Sequence, residues 1–141
     1  MSKYKNEEEI RALVEAFERG MIAESEWRHA EHLVVGLDYL TRFAFDAALA
    51  RMRAGIFDLL RAFKIDLAKE MPYHETLTVF WMRAIDEFRR AHDDLSPVEI
   101  TGRLIDAFDK DYPLRFYSRE LLFSDRARRA YVAPDLPRGK I

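Results

Sequence analysis

The histidines are the residues of this chain best suited to chemistry, and the sequence has four of them. His29 and His32 stand three residues apart, so on a helix their side chains project from one face about one turn apart. That face also carries apolar residues, which predicts that both imidazoles point inward. Glu26 lies three residues before His29, at the edge of the same face. The pattern Glu26-x-x-His29-x-x-His32 therefore brings one carboxylate and two imidazoles towards a single point.

A third histidine is predicted to join this pair. His74 lies at the predicted start of a later helix and shares an apolar stripe with Trp81. In an up-down bundle this helix runs in the same direction as the helix of His29 and His32, so their N-terminal ends lie at the same end of the molecule. We expect His29, His32 and His74 to converge there.

Three neutral imidazoles are a suitable ligand set for a divalent transition metal, most readily zinc or iron, with positions left open for water or substrate. Metal-bound water would lose a proton readily and act as a nucleophile, whereas iron could bind dioxygen. Glu26 and Glu75 are the candidate catalytic carboxylates, as a further ligand or a proton shuttle. Tyr73 and Trp27 are candidate walls of the site, although helical periodicity turns Trp27 away from the histidine face.

A second interpretation of the histidines stays open, because inward histidines also occur as hydrogen-bonded structural groups. Carboxylate-bridged di-iron bundles use two Glu-x-x-His units and two further glutamates. Glu26-x-x-His29 is the single such unit in this sequence, which argues against a di-iron centre. His92 stands beside Asp93 and Asp94, and we predict that it is solvated surface.

Composition favours one folded domain spanning residues 1–141. The chain has 49% hydrophobic and 34% charged residues, and its 10 Phe, 6 Tyr and 2 Trp exclude intrinsic disorder. It has no cysteine, which excludes disulfides and thiolate zinc sites. No apolar run approaches the roughly 18 residues of a membrane span, and the charged N-terminus does not resemble a signal peptide. We therefore expect a cytoplasmic protein without a membrane partner.

The charge is unevenly distributed along the chain. The net charge is −2, but residues 112–141 contain seven basic and three acidic side chains. This basic segment could lie on the acidic body, bind an anion through Arg126, Arg128 and Arg129, or pair with a second copy in a homodimer. A nucleic-acid partner is not expected, because such proteins normally carry a larger basic excess.

Apolar residues recur with helical period, and alternation of period two is nowhere sustained. The sequence predicts an all-α, up-down bundle of four or five helices with a short C-terminal helix and an extended tail. The predicted elements are helix 1 from Asn6 to Gly20, helix 2 over 25–42, helix 3 from an Asp46 N-cap, a connector over 64–73, helix 4 over 74–93, helix 5 from the Ser96-Pro97-Val98-Glu99 capping box to Tyr112-Pro113, a short helix over 118–131 and a tail over 134–137. Gly55 lies inside helix 3, where it lowers helix propensity and is expected to mark close packing.

Three segments resemble a family of small bacterial proteins of unassigned function. They are the W-x-H-x-x-H-L element at 27–33, the Y-H-E-T-L-T element at 73–78 and the S-x-x-A-R segment at 124–128. The resemblance covers most of the chain and implies that the three histidines form one site, without implying an activity. A looser likeness is to the DinB/YfiT-like metal-binding four-helix bundles, which also use three histidines but place the single histidine first and the pair later.

Three functional hypotheses follow. The first is a divalent-metal-binding protein, with His29, His32 and His74 as ligands, in which an enzymatic reaction on a small-molecule substrate stays open. The second is a non-catalytic interaction module in which the histidines are structural. The third is an anion-binding regulator that uses the arginine cluster.

Overall fold

A computed structural model describes residues 3–65 and 72–137, and their regular secondary structure is entirely helical. The predicted all-α class is therefore confirmed. The five long helices are α1 (Glu7–Glu18), α2 (His29–Arg42), α3 (Phe45–Ala62), α4 (Glu75–Ala91) and α5 (Pro97–Ala107). Two short helices follow, α6 (Arg119–Leu122) and α7 (Asp125–Arg129).

Helix α2 is the centre of the bundle and contacts α1, α3, α4 and α5. It is apolar on most of its circumference, which is typical of a helix surrounded by others. Its sequence from Leu33 to Leu37 is buried without interruption. The position of α2 fixes the site described below, because the histidine pair lies on its first turn.

Helix boundaries follow the predicted capping residues in α1 and α5 and depart from the predicted cap in α3. The Asn6 side chain caps α1, and Ser96 and Glu99 form the predicted capping box of α5. Helix α3, however, begins at Phe45 after an Ala44 N-cap, so the predicted Asp46 cap is wrong. Asp46 lies instead in the first turn, where a carboxylate interacts favourably with the helix dipole.

Helix α2 begins at His29 and not at Ser25 as predicted. Glu24–Glu26 form a separate 3-10 turn, and Arg28 is an extended N-cap. The Trp27 ring between them stacks on Phe17 of α1, with 5.1 Å between ring centroids. This packing takes Trp27 out of the helical path, so the periodicity that turned it away from the histidines does not apply.

Gly55 allows α1 and α3 to pack closely. The predicted close approach is confirmed, because a Cβ atom at Gly55 would overlap the Phe17 ring. Phe17 is fully buried. The Phe17 ring, on which Trp27 stacks just before α2 begins, therefore occupies space that a side chain at residue 55 would fill.

The C-terminal segment packs on α4. One helix was predicted over 118–131, but Ser124 ends one short helix and caps the next. Thr76 Oγ1 donates to the Ala130 carbonyl at 3.0 Å and accepts from the Val132 amide at 3.1 Å. The tail follows, and the Leu136 amide donates to the Phe116 carbonyl at 2.9 Å.

Two further expectations concern the connector before α4 and the absence of a membrane span. Most of the predicted 64–73 connector, residues 66–71, lies outside the described residues. Within the described part of the chain, no helix combines the length and apolar character needed to cross a bilayer.

Candidate functional site

A cavity of about 410 Å³ lies at the N-terminal ends of α2 and α4. His29, His32 and His74 all line it, as the parallel course of the two helices predicted. We call it the histidine cavity. Its other described lining residues are Trp27, Arg28, Met52, Ile56, Leu60, Pro72, Tyr73, Leu77, Thr78, Trp81, Met82, Ile85 and Lys110.

His29 is held by α5 and α4. Its Nε2 lies 2.9 Å from the Phe108 carbonyl oxygen, and its ring centroid lies 4.8 Å from that of Trp81. A carbonyl oxygen can only accept, so Nε2 carries the proton and donates it. In the neutral ring, Nδ1 therefore keeps an unshared electron pair.

His32 is fixed in the opposite tautomer. Its Nδ1 donates to the Arg28 carbonyl at 3.2 Å, which leaves the lone pair on Nε2. The centroids of the Trp27 and His32 rings lie 4.2 Å apart. Removal from water by this packing lowers the pKa of His32 to about 4, so the imidazole is neutral near pH 7.

His74 differs from the other two because both of its ring nitrogens have hydrogen-bond partners. Nδ1 accepts from the Leu77 amide at 3.1 Å and so caps α4, while Nε2 donates to the Leu122 carbonyl at 2.6 Å. Burial lowers the pKa of His74, which favours the neutral tautomer that these two bonds require. His74 has no lone pair left for a ligand unless one bond breaks.

The three histidines share a cavity without forming a metal cluster. Their hydrogen bonds go to main-chain groups of the described residues and not from one histidine to another. Across residues 3–65 and 72–137, no three His, Cys, Asp or Glu side chains lie together in a way that could hold a metal ion. The two lone pairs of His29 and His32 are the imidazole acceptors that remain for a ligand.

Neither candidate carboxylate lines the cavity in the described structure. Glu26 is exposed on the 3-10 turn, because α2 does not extend back to it. Glu75 forms a two-pronged ion pair with Arg53, at 2.9 and 2.6 Å, and accepts a bond from the Tyr73 hydroxyl at 2.7 Å. These partners outweigh the effect of burial and lower the pKa of Glu75, so its carboxylate is ionised and engaged.

Two other polar side chains, His92 and Glu31, have partners within the fold. His92 is half-buried, stacked on Phe88 with 4.1 Å between centroids, and its Nδ1 donates to the Phe88 carbonyl. It is therefore not the solvated side chain predicted. Glu31 is buried beneath the N-terminal segment, where its Oε2 atom lies 2.7 Å from Lys3 Nζ and 2.6 Å from Tyr4 Oη.

Sequence reasoning missed the charged side chains of the cavity. Arg28 and Lys110 line it, and both are exposed. Lys110 lies in the link after α5, where no helical periodicity predicts its position. The expected wall residue Tyr73 does line the cavity, with its ring 4.5 Å from that of Phe57.

The arginine cluster remains a separate surface feature. Arg126 and Arg129 are exposed on α7, and neither lines the histidine cavity.

No protein-family model, curated protein or solved structure matches this chain. The case for a function therefore depends on the geometry of the cavity.

Proposed function

We propose that this protein binds a small, mainly apolar molecule in the histidine cavity, with His29 Nδ1 and His32 Nε2 as the hydrogen-bond acceptors. The observation that carries the proposal is the convergence of two imidazoles of fixed tautomer and both tryptophans on one cavity. Small-molecule sites are usually clefts of about 300–1,000 Å³ with apolar walls and a few oriented polar groups. The cavity fits that description.

Preorganisation supports this proposal. Each imidazole is oriented by a hydrogen bond to a main-chain carbonyl and by a ring contact with a tryptophan. A ligand that donates to these nitrogens would not have to orient the side chains first, which reduces the entropic cost of binding. His74 differs from this pair, because both of its ring nitrogens are used within the fold.

The test uses intrinsic fluorescence, because the two tryptophans of the chain are Trp27 and Trp81 and both line the cavity. We expect the neutral dye N-phenyl-1-naphthylamine to quench tryptophan emission by energy transfer, with saturation. Leu60→Phe would fill the cavity and weaken dye binding at least fivefold. Leu49→Phe is the matched control, since Leu49 is also a half-buried leucine of α3 but does not line the cavity. Absence of saturable quenching, or equal weakening by both variants, would refute the proposal.

A divalent metal is the second candidate ligand, and one observation favours it. Metal-ligating histidines almost always donate their other ring N–H to a carboxylate, a main-chain carbonyl or water. His29 and His32 both have such a bond to a carbonyl, so each would present one nitrogen to a metal. His74 would complete the expected three-histidine set only by giving up a hydrogen bond. When bound, zinc or iron would act as a Lewis acid at the cavity.

The metal candidate is tested by elemental analysis of protein purified without chelator, and by thermal shift with added Zn²⁺. On this candidate, His29→Ala and His32→Ala abolish the shift, whereas His92→Ala leaves it intact. Loss of the shift in His74→Ala would support the full three-histidine set. Metal-free protein with no response to Zn²⁺ would reject metal binding and leave the small-molecule proposal standing.

A further inference from the structure

The charged side chains that line the histidine cavity in the described structure are all of one sign. Arg28 and Lys110 are the charged side chains among its described lining residues, and no described lining residue is acidic. Their surroundings differ from the chain as a whole, which has a net charge of −2. The charge of the side chains that line the cavity is therefore opposite in sign to the net charge of the chain.

Both cations are available to a ligand. Arg28 and Lys110 are exposed, and neither forms an ion pair with a carboxylate of the described residues. The Arg28 Nε atom donates to the Ser25 carbonyl at 3.0 Å, which leaves its terminal guanidinium nitrogens unbonded within the described part of the chain. The terminal nitrogens of arginine are suited to recognising planar anions such as carboxylates.

Most of the other lining side chains are apolar. Helix α3 contributes Met52, Ile56 and Leu60, and helix α4 contributes Leu77, Trp81, Met82 and Ile85. A ligand that satisfies both regions has an apolar body and one anionic group. Resting on the proposed function, we propose that the cavity selects an amphipathic monoanion, such as a medium-chain hydroxycarboxylate, whose carboxylate pairs with Arg28 and Lys110 and whose hydroxyl donates to His29 or His32.

A matched ligand pair tests this selectivity. Decanoate and 1-decanol share a chain length and differ in the head group, and each is titrated at pH 7.5 against protein loaded with N-phenyl-1-naphthylamine. Without charge recognition the cavity would favour the alcohol, because burying a carboxylate costs more than burying a hydroxyl and because the hydroxyl, unlike the carboxylate, can donate to His29 or His32. We expect decanoate to displace the dye at a concentration at least fivefold lower than decanol.

Substitutions test whether Arg28 and Lys110 recognise the carboxylate. Arg28→Gln combined with Lys110→Gln should weaken decanoate about five- to tenfold and leave decanol unchanged, whereas Arg28→Lys with Lys110→Arg should keep the preference. The matched control is Lys5→Gln with Arg103→Gln, which removes the same charge from two exposed positions outside the cavity. Equal loss of decanoate binding in this control would overturn the inference, because it would reveal a general charge effect.

The remaining outcomes separate the two proposals. Dye that binds but is displaced equally well by decanol and decanoate, or better by decanol, would overturn the charge selectivity and leave the small-molecule site intact. A decanoate preference that survives the Arg28 and Lys110 glutamine variants would also overturn it. Dye that does not bind at all would refute the proposed function itself, and this inference with it.

Discussion

His74 Nε2 lies 2.6 Å from the carbonyl oxygen of Leu122, a residue 48 positions later in the chain. Through this bond, the residue that caps α4 also holds the C-terminal segment against the bundle. The wall of the histidine cavity and the packing of that segment therefore depend on the same imidazole.

The double role of His74 predicts a graded loss of stability. His74→Ala removes the cap and leaves the Leu122 carbonyl without its donor, so we expect a loss of about 2–4 kcal/mol in the free energy of unfolding. His74→Asn keeps an acceptor for the Leu77 amide but cannot reach Leu122, and should cost less. Urea unfolding of both variants measures the difference. Equal losses would show that the bond to the Leu77 amide and the bond to the Leu122 carbonyl do not contribute separately.

Acidification should destabilise the fold through His32. The folded-state pKa of His32 is about 4, below the ordinary value of 6.5. The unfolded chain therefore binds the proton first, so stability is lost as the pH falls from above 6.5 towards 4. Between pH 7 and pH 5 we expect this group to account for a loss of about 1–2 kcal/mol. Urea unfolding at both pH values should show a smaller loss for His32→Gln, and an unchanged loss would contradict the assignment.

Two buried helical glycines should respond differently to alanine. A Cβ atom at Gly55 meets the rigid ring of Phe17, whereas at Gly36 it meets the flexible ends of Ile85 and Met82, at 2.9 and 3.2 Å. Both changes gain about 1 kcal/mol of helix propensity. Overpacking typically costs about 1–3 kcal/mol, and the direct overlap with Phe17 puts Gly55 at the upper end of that range. After the gain in propensity we expect Gly55→Ala to cost a net of about 1–2 kcal/mol, and Gly36→Ala to be nearly neutral. Thermal unfolding tests this order, and a costlier Gly36→Ala would reverse the packing argument.

Substitution of Glu75 tests whether this carboxylate contributes to ligand binding or only to stability. Because it pairs with the partly exposed Arg53 and does not line the cavity, Glu75→Gln should reduce stability by about 0.5–1 kcal/mol. Dye affinity should stay within twofold of the wild type. A large loss of dye binding in a folded variant would restore Glu75 to the site.

The sequence predicts the bundle well because helical periodicity and capping chemistry are local. Asn6 and Ser96 cap the helices they were expected to cap, and Gly55 marks the close approach of Phe17. Convergence of the histidines on one cavity also follows from helix direction alone. The departures have tertiary causes: Trp27 leaves the helix to stack on Phe17, which moves the start of α2 and separates Glu26 from the histidines.

Hydrogen-bond partners that are distant in sequence could not be predicted. His74 bonds to Leu122 and His29 to Phe108, and neither main-chain carbonyl carries a sequence signal. These bonds decide which ring nitrogens keep a lone pair. Lys110 was missed for a similar reason, since it reaches the cavity from an irregular link.

The most direct measurement is a two-dimensional ¹H–¹⁵N spectrum of the tryptophan indole and histidine ring signals during titration with N-phenyl-1-naphthylamine. We expect saturable shifts of the Trp27 and Trp81 indole signals and of the His29 and His32 ring nitrogens. The ring of His92, which does not line the cavity, should stay unchanged as an internal reference. Binding of the dye without a shift at His29, His32 and either indole would place the ligand elsewhere and contradict the account.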